Sequence, residues 1–416
     1  MRAVQAFRFE LDPNAAQRIA LAKHVGAARF AYNWGLARCL EALENGERLP
    51  SAMELHKAWN RWKRENAPWW VEVSKCAPQE AFRDLERAWR NHWEGRAGRP
   101  RFKKKKWDAD NAFRLTGSIR VTPRHVQLPR IGKVRVKERT DRLTDLLQAK
   151  RARILSATIS READRWFVSL TCEVEIPDPD PLPPDAPVVG VDMDLEDFAV
   201  LADGNGVERI GFGEVRERIR RLQRKLRREQ RRLSRRQRAL HPDPRDPHRR
   251  LPSRRWLKQL RKVQRLHRRI RNVLNDFLHQ TSTRLAKAKR VYVVEDLNLR
   301  GMMRRRRRGP RLSRSLAEQA WGTFLRMLKY KSEWYGSKVM VADRFFPSSR
   351  TCSACGAVNR SLRLSDRMFR CPQCGLEMDR DENAALNLRK YGLAVGAVGV
   401  RCLGTALQPY REFPGK

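Results

Sequence analysis

The sequence predicts an α/β domain built on an open sheet, preceded by a small all-β domain and a helical stretch. Three observations carry this class. Residues 111–176 hold several short runs with strand spacing. A proline-rich segment at 177–187 closes that region. Beyond it, short apolar runs (VVGVD, FAVLA, VYVV) alternate with long amphipathic stretches, the pattern of a sheet covered by helices.

Taken in order, AVQAFRFE at 3–10 alternates like a strand. Pro13 opens a long helical stretch through FAYNWGLARCL. A second helix at about 78–93 puts Phe82, Leu85 and Trp89 on one face, with Arg83, Arg87 and Arg90 off it. GRPRFKKKKW, 98–107, is a basic loop with Phe102 and Trp107 interleaved; these rings suit base stacking and suit a core equally. AFRLTG, SIRVTP, HVQLPRIGKVRV, ILSATISREA and RWFVSLTCEVEI read as the strands of a small barrel.

PDPDPLPPDAP, 177–187, has six prolines in eleven positions. Proline removes backbone donors and forces extended geometry, so this is a stiff linker and a domain boundary. Three strands follow: one ending at Asp192, one over Phe198–Ala202 and one near Val207–Gly211, with Asp203-Gly204 as a tight turn. Residues 214–286 form two long helices. Val215, Ile219, Leu222, Leu226 and Leu233 make one apolar stripe, and Leu260, Val263, Ile270, Leu274 and Phe277 make the other. HPDPRDPHRRLP, 241–252, turns the chain between them. RVYVVEDLNLRGM is a strand ending in Glu295, followed by the run Arg304–Arg308. A helix then runs from Ser315 to about Tyr335 with Leu316, Ala320, Phe324, Leu328 and Tyr335 inward. SKVMVADRFFPSS is a further strand, and DRDENAALNLRKYG is a short helix after a cysteine module. Residues 391–416 have no sustained period and read as a loose tail.

At 416 residues the chain is long enough for two or three domains, and 41% hydrophobic content fits a folded protein. Ninety Lys and Arg against 47 Asp and Glu give a net charge of +43. Such a chain needs a polyanion, and nucleic acid is the usual one. An anionic membrane surface competes for that role, but no apolar stretch is long enough to span a bilayer. MRAVQAFRFELDP lacks a signal-peptide core, so a cytoplasmic, nucleoid-associated protein is expected, or a nuclear one if the source is a eukaryote. About twenty-five of the cations lie in 214–271 against five acids, a density that repels itself unless a polyanion neutralises it. With this charge, the barrel suits a nucleic-acid cradle about as well as a plain scaffold.

Of eight cysteines, Cys39, Cys76, Cys172 and Cys402 are scattered, which suits reduced thiols. Cys352, Cys355, Cys371 and Cys374 form two CxxC pairs, CSACG and CPQCG, fifteen residues apart. Four thiolates at this spacing suit one tetrahedral Zn2+. Gly356 and Gly375 after each pair permit positive φ, so that backbone amides turn toward the sulfurs. Four protein ligands leave no open position, so this zinc is structural.

The candidates for chemistry are acids. Asp192 and Glu295 end buried strands, where a carboxylate is costly unless it binds something positive. Asp379 and Asp381 begin the helix after the cysteines. Singly, each fits a turn or a helix cap. Together, in a strand–strand–strand–helix–strand order, they favour an RNase H-like nuclease core in which acids at one sheet edge hold two Mg2+.

At this point the chain resembles a known family. GVDMDLEDFAVLADG, VVEDLNLRGM, FFPSSRTCSACG, LRLSDRMFRCPQCGLEMDRDENAALNL, FAYNWGL and GRPRFKKKK together look like TnpB, the RNA-guided nuclease of small insertion sequences, similar to compact type V CRISPR effectors. The likeness runs in order from residue 3 to about 390. It implies a wedge-type β-barrel (1–13 and 97–176) with an inserted helical recognition lobe (14–96). After the linker it implies an α/β, RNase H-like RuvC nuclease domain (188–345 and 376–390) carrying the basic hairpin (214–286) and interrupted by the zinc ribbon (346–375). It also implies a guide RNA from the transposon end, a double-stranded DNA target beside a short target-adjacent motif, and Asp192, Glu295 and Asp381 as the ligands of two catalytic Mg2+. Asp381 is preferred over Asp379 because the family pattern puts the ligand two residues before Asn383. The chain departs from the family at Asp194, where a small residue is common. Asp194 could crowd the site, add a metal contact or turn to solvent. A monomer and a homodimer are both compatible with the sequence.

Two rivals remain at this stage. A non-cleaving RNA-guided regulator of transposition or transcription would explain everything but the retained acids. A structural RNA-binding protein would explain the charge and the ribbon, but not three acids in this order.

Overall fold

A computed structural model of the chain describes residues 1–104, 111–240, 253–297, 320–363 and 365–397. The chain divides into two compact units, one of residues 1–177 with 229–268, the other of 178–228 with the rest from 269.

In the first unit, strand β1 (Arg2–Asp12) leads into helix α1 (Ala15–Glu44). Asn14 caps α1: its side chain accepts from the Gln17 amide, and Gln17 answers to the Asn14 amide, so two orphan donors at the helix start are satisfied. Helices α2 (Ala52–Asn66) and α3 (Cys76–Trp93) follow. Strands β2 (Ala112–Leu115), β3 (Arg120–Thr122), β4 (His125–Leu128) and β5 (Gly132–Val136) precede helix α4 (Asp141–Gln148), and β6 (Ala152–Glu162) and β7 (Arg165–Glu175) complete the unit's strands. These strands form one antiparallel sheet in the order β2-β6-β7-β1-β5-β4-β3. The expected barrel is found as this sheet: its ends, β2 and β3, are only four and three residues long, and among the described residues no ladder joins them. One core serves helices and sheet, with Leu36, Trp59, Phe82 and Leu85 in the same cluster as Leu115, Ile159 and Leu170.

In the second unit, β8 (Val188–Asp192), β9 (Ala199–Ala202) and β10 (Val207–Ile210) are followed by helices α5 (Gly213–Leu240) and α6 (Arg254–Lys287). Strand β11 (Val291–Val294), helix α7 (Trp321–Tyr335) and strand β12 (Lys338–Val341) come next, then the hairpin of β13 (Met368–Arg370) and β14 (Glu377–Asp379), then helix α8 (Arg380–Ala397). The main sheet runs β10-β9-β8-β11-β12, with β9 and β10 antiparallel and β8, β11 and β12 mutually parallel. Alternation divides its faces. Val189, Val191, Tyr292 and Val294 pack with Leu278, Leu285, Phe324 and Leu328 of α6 and α7. Val200 and Ala202 meet Ala385, and Val293 meets Leu388, both from α8. Gly190 in β8 makes that second face possible, because a Cβ there would lie 1.8 Å from the Ala385 carbonyl oxygen.

Three sequence expectations change. The helix expected from Ser315 begins at Trp321 within the described residues, and Leu316 and the run Arg304–Arg308 lie outside them. Its buried face includes Lys331 and Ser332, while Tyr335 is half-buried. The terminal helix α8 takes in the first residues assigned to the tail and reaches Ala397; Trp107, the 241–252 turn and 398–416 lie outside the described residues. Among the described residues, no helix is long and apolar enough to cross a membrane.

Candidate functional site

Pleating places the acids. Strands β8 and β11 are parallel, with Val188 opposite Val291 and Val191 opposite Val294. Gly190 and Val293 face α8, so two residues further on Asp192 and Glu295 share that face by alternation. Asp381 lies in the first turn of α8, one turn before Ala385 at the Gly190 contact. The three acids therefore come from three separated segments to one end of one sheet face.

Their electrostatics fit this placement. Burial drives the Asp192 carboxyl well above the usual range, and the charges of Glu295, Asp381 and Asp194 push the same way against Arg380. Asp192 keeps some exposure as a residue, so it is lost hydration at the carboxyl group, not complete enclosure of the side chain, that dominates. Glu295 is raised by burial and by Asp381, while a hydrogen bond from the Ser348 hydroxyl opposes this. Asp381 is raised by burial and Asp194, opposed by Arg380 and Arg367, whose guanidinia each stand 3.4 Å from its oxygens. Among the described residues only the cysteines bring three or more candidate ligand atoms all within 4.8 Å of one another, so the three acids do not close that tightly. An all-oxygen, net-negative cluster of this kind suits hard divalent cations such as Mg2+.

Asp379 and Asp194 take other parts. The Asp379 carboxylate accepts from the amides of Asp381 (2.9 Å) and Glu382 (3.1 Å), the N-cap bond of α8. Asp194 does not turn to solvent. It is buried, and its carboxylate accepts from the amides of Leu195 (2.6 Å), Glu196 (2.9 Å) and Asp197 (2.9 Å), with Arg367 at 3.5 Å. Its oxygens thus tie the turn after β8, and its charge still reaches Asp192 and Asp381. Arg367, from the ribbon, also bonds Glu196 at 2.8 Å. Sequence spacing gave no signal for that arginine, which acts through the β13–β14 fold.

The four cysteine sulfurs lie within 4.8 Å of one another, with Cys352–Cys374 at 3.7 Å and Cys355–Cys371 at 3.5 Å. A tetrahedron of ~2.3 Å zinc–sulfur bonds has edges of about 3.8 Å, so the set fits one Zn2+. The two knuckles repeat the same bonds. The amides of Cys352 and Cys371 donate to the carbonyls of Ala357 and Leu376, and those of Gly356 and Gly375 donate back to Cys352 and Cys371. Both glycines have the positive φ that the sequence predicted, +80° and +70°. Amides also reach sulfur: Ala354 toward Cys352, and Cys374 and Gln373 toward Cys371, each at 3.4 Å. These last two amides, Cys374 first, and the neighbouring thiols lower the Cys371 thiol to about 6 against its desolvation, while the Cys374 thiol is raised by its own thiol neighbours.

The basic surface lies on α5 and α6. One groove places Arg218, Arg221, Lys225 and Arg269 over Leu222 and Val273. Another on α6 is lined by Arg254, Lys258, Arg261, Lys262 and Arg265 beside Leu257. Cations over an apolar floor suit phosphates with adjoining sugars. In the first unit, Asn33 of the FAYNW segment bonds both the amide (2.7 Å) and the carbonyl (2.9 Å) of Lys103, whose ammonium sits 4.2 Å from the Tyr32 ring centroid. That motif therefore anchors the basic loop, and Phe102 on it is exposed.

Three family models match the chain: "Probable transposase" over residues 171–306, "Cas12f1-like, TNB domain" over 321–388, and "Helix-turn-helix domain" over 1–48. In this chain the last segment is β1 and the single unbroken helix α1. A Mycobacterium tuberculosis protein is 37% identical over 95% of this chain and 88% of its own length. InsQ of Escherichia coli is 32% identical over 96% of this chain and 95% of its own. Both carry the name "Putative RNA-guided DNA endonuclease". Among solved structures, that of a Cas12f1–sgRNA–target DNA complex aligns with a TM-score of 0.51 at 12% identity, covering 93% of this chain and 99% of that one, a likeness of fold.

Proposed function

The chain belongs to the TnpB (OrfB) family, and from that premise we propose that it is an RNA-guided DNA endonuclease of a transposable element, cutting beside a short target-adjacent motif. The observation that carries the reading is the convergence of Asp192, Glu295 and Asp381 at one end of one sheet face. In this reading these three carboxylates hold two Mg2+. When bound, such a pair supplies an activated water and neutralises charge on the leaving oxygen of the phosphodiester.

The chain's own residues do the rest. The acids fix where the cations sit. Arg367 and Arg380 offset the negative charge of the cluster while it is unloaded. The cations of α5 and α6, with the loop that Asn33 anchors, grip the phosphates of a guide RNA and its DNA target without reading sequence, which base pairing reads. The zinc ribbon is structural and presents Arg367 to the acids.

The test is a cleavage assay with the ribonucleoprotein purified with its own RNA, on DNA matching the guide and flanked by randomised sequence. Cutting that stops with EDTA and returns with Mg2+ supports the reading. Guided binding without cutting would instead identify a regulator.

A further inference from the structure

The Ser348 hydroxyl donates to Glu295 Oε1, and Ser348 is itself buried. Its amide donates to the Phe346 carbonyl at 2.9 Å. Its carbonyl accepts from Asn387 Nδ2 at 2.8 Å. The same Asn387 nitrogen reaches the Thr351 carbonyl at 2.6 Å, which also accepts from Asn383 Nδ2 at 2.7 Å. Asn383 Oδ1 in turn accepts from the Ser353 amide at 2.9 Å, and Lys390 Nζ donates to the Ser353 carbonyl.

Asn383, Asn387 and Lys390 stand four and three residues apart, so they form one stripe along α8. That stripe grips residues 348–353, which hold Ser348 at one end and Cys352 near the other. The helix that presents Asp381 therefore also fixes the segment that joins Glu295 to the first zinc ligand. Asn383 is bonded at both amide ends and Asn387 gives its amide nitrogen to two carbonyls; both are buried, and slipping by one residue would orphan several polar atoms at once. No apolar packing requires a hydroxyl at Ser348, whose bond to Oε1 limits how the Glu295 carboxylate can rotate.

We infer that Ser348 is a positioning residue for Glu295, and that Asn383 and Asn387 tie its place to the zinc knuckle, so that the ribbon sets the affinity of the acid site for divalent cations. This rests on the nuclease reading above. Partners that orient a metal ligand typically change affinity about 10–100-fold when removed.

The experiment uses the intact ribonucleoprotein, with Mn2+ as a paramagnetic probe whose free fraction is read by electron spin resonance. Zinc content and guided DNA binding are measured on the same samples. Ser348→Ala and Asn387→Ala should each weaken Mn2+ binding about 10-fold or more while keeping zinc and DNA binding. Ser348→Thr, which keeps the hydroxyl, should restore most of it. If Ser348→Ala binds Mn2+ like the unaltered protein while Asp192→Ala does not, the positioning role is overturned and the nuclease reading stands. If Asp192→Ala also binds normally, the acid site itself is not a metal site and both fall. Loss of zinc or of DNA binding in Ser348→Ala would reduce the residue to a folding role and overturn the inference too.

Discussion

Asp192 and Glu295 leave neighbouring parallel strands in the same register, one residue beyond the facing pair Val191 and Val294. Burial makes these two carboxylates and Asp381 resist ionising, and the charges of their acidic neighbours add to it. Asp192→Ala, Glu295→Ala and Asp381→Asn should each reduce guided cleavage on the order of 10^3-fold or more, because a shared cation site fails as a unit. Guided DNA binding, read by gel shift, should persist. Asp194→Asn keeps one oxygen, enough to accept from the amides of Glu196 and Asp197, gives up the acceptor for Leu195, and should still cut. Unimpaired cutting by Asp192→Ala would remove this acid cluster from the account of cleavage.

Asp379 and Asp381 are two residues apart but differ in kind. Asp379 caps α8, and losing a cap costs about 1 kcal/mol. Asp379→Ala should lower thermal stability modestly and retain cleavage, whereas Asp381→Asn should keep stability and lose cleavage. A denaturation curve beside a cleavage time course for the two variants checks this. The reverse pattern would move the ligand to Asp379.

The ribbon core is small: Leu362 and Phe369 are the buried apolar residues clustered with Cys352 and Cys371. Beyond the bonds that tie residues 348–353 to α8, so small a core leaves the segment little order of its own, which a zinc ion on the four cysteines would supply. Elemental analysis should find close to one zinc per chain. Cys371→Ser should lose it, together with the protease resistance of residues 346–379. Full zinc occupancy in that variant would count against a closed four-cysteine site.

Much of this was legible in the sequence. The CxxCG pairs announced their knuckles, and VVGVD and VYVV announced strands because burial on both faces leaves an unbroken apolar run. What could not be read was pairing. Nothing local says that Val191 faces Val294, and it is this register that brings Asp192 beside Glu295. Helix α2 went unread although Ser51 and Glu54 spell a capping box, because its polar content hides a narrow face of Leu55 and Trp59. Helix α4 went unread because eight residues give too little period to see. Ser348 was invisible as a partner, since a serine before a cysteine knuckle carries no spacing signal.

The hairpin arginines make a prediction about salt. Arg218, Arg221, Lys225 and Arg269 line one groove, and few acids oppose them. Each phosphate released should contribute about 0.9 to the slope of log affinity against log salt on duplex. Replacing Arg218, Lys225 and Arg269 by Gln should flatten that slope by about 2–3 and weaken binding to matched and unmatched DNA alike. A slope that stays the same would place the nucleic acid elsewhere.

Lys331 gives a prediction about pH. Its ammonium is buried between α6 and α7 and donates to the His279 carbonyl (2.8 Å), Ser282 Oγ (2.7 Å) and Thr283 Oγ1 (2.7 Å), all of them uncharged. Burial lowers its pKa from 10.5 to about 8. Between these values the unfolded chain holds a proton that the folded chain has released, so stability from this group rises with pH across that window. Below about 8 both states are protonated and the full burial penalty applies. Lys331→Met removes the charge and leaves the two hydroxyls bonded to Leu278 and His279 carbonyls, so no polar atom there loses its only partner. Relative to Lys331→Met, the unaltered protein should therefore gain on the order of 2 kcal/mol between pH ~8 and ~10.5, measured by denaturant titration. The difference should be flat below that window. A difference that shrinks as pH rises, or none at all, would mean that Lys331 stays charged through the window and that its three oxygen partners offset its burial.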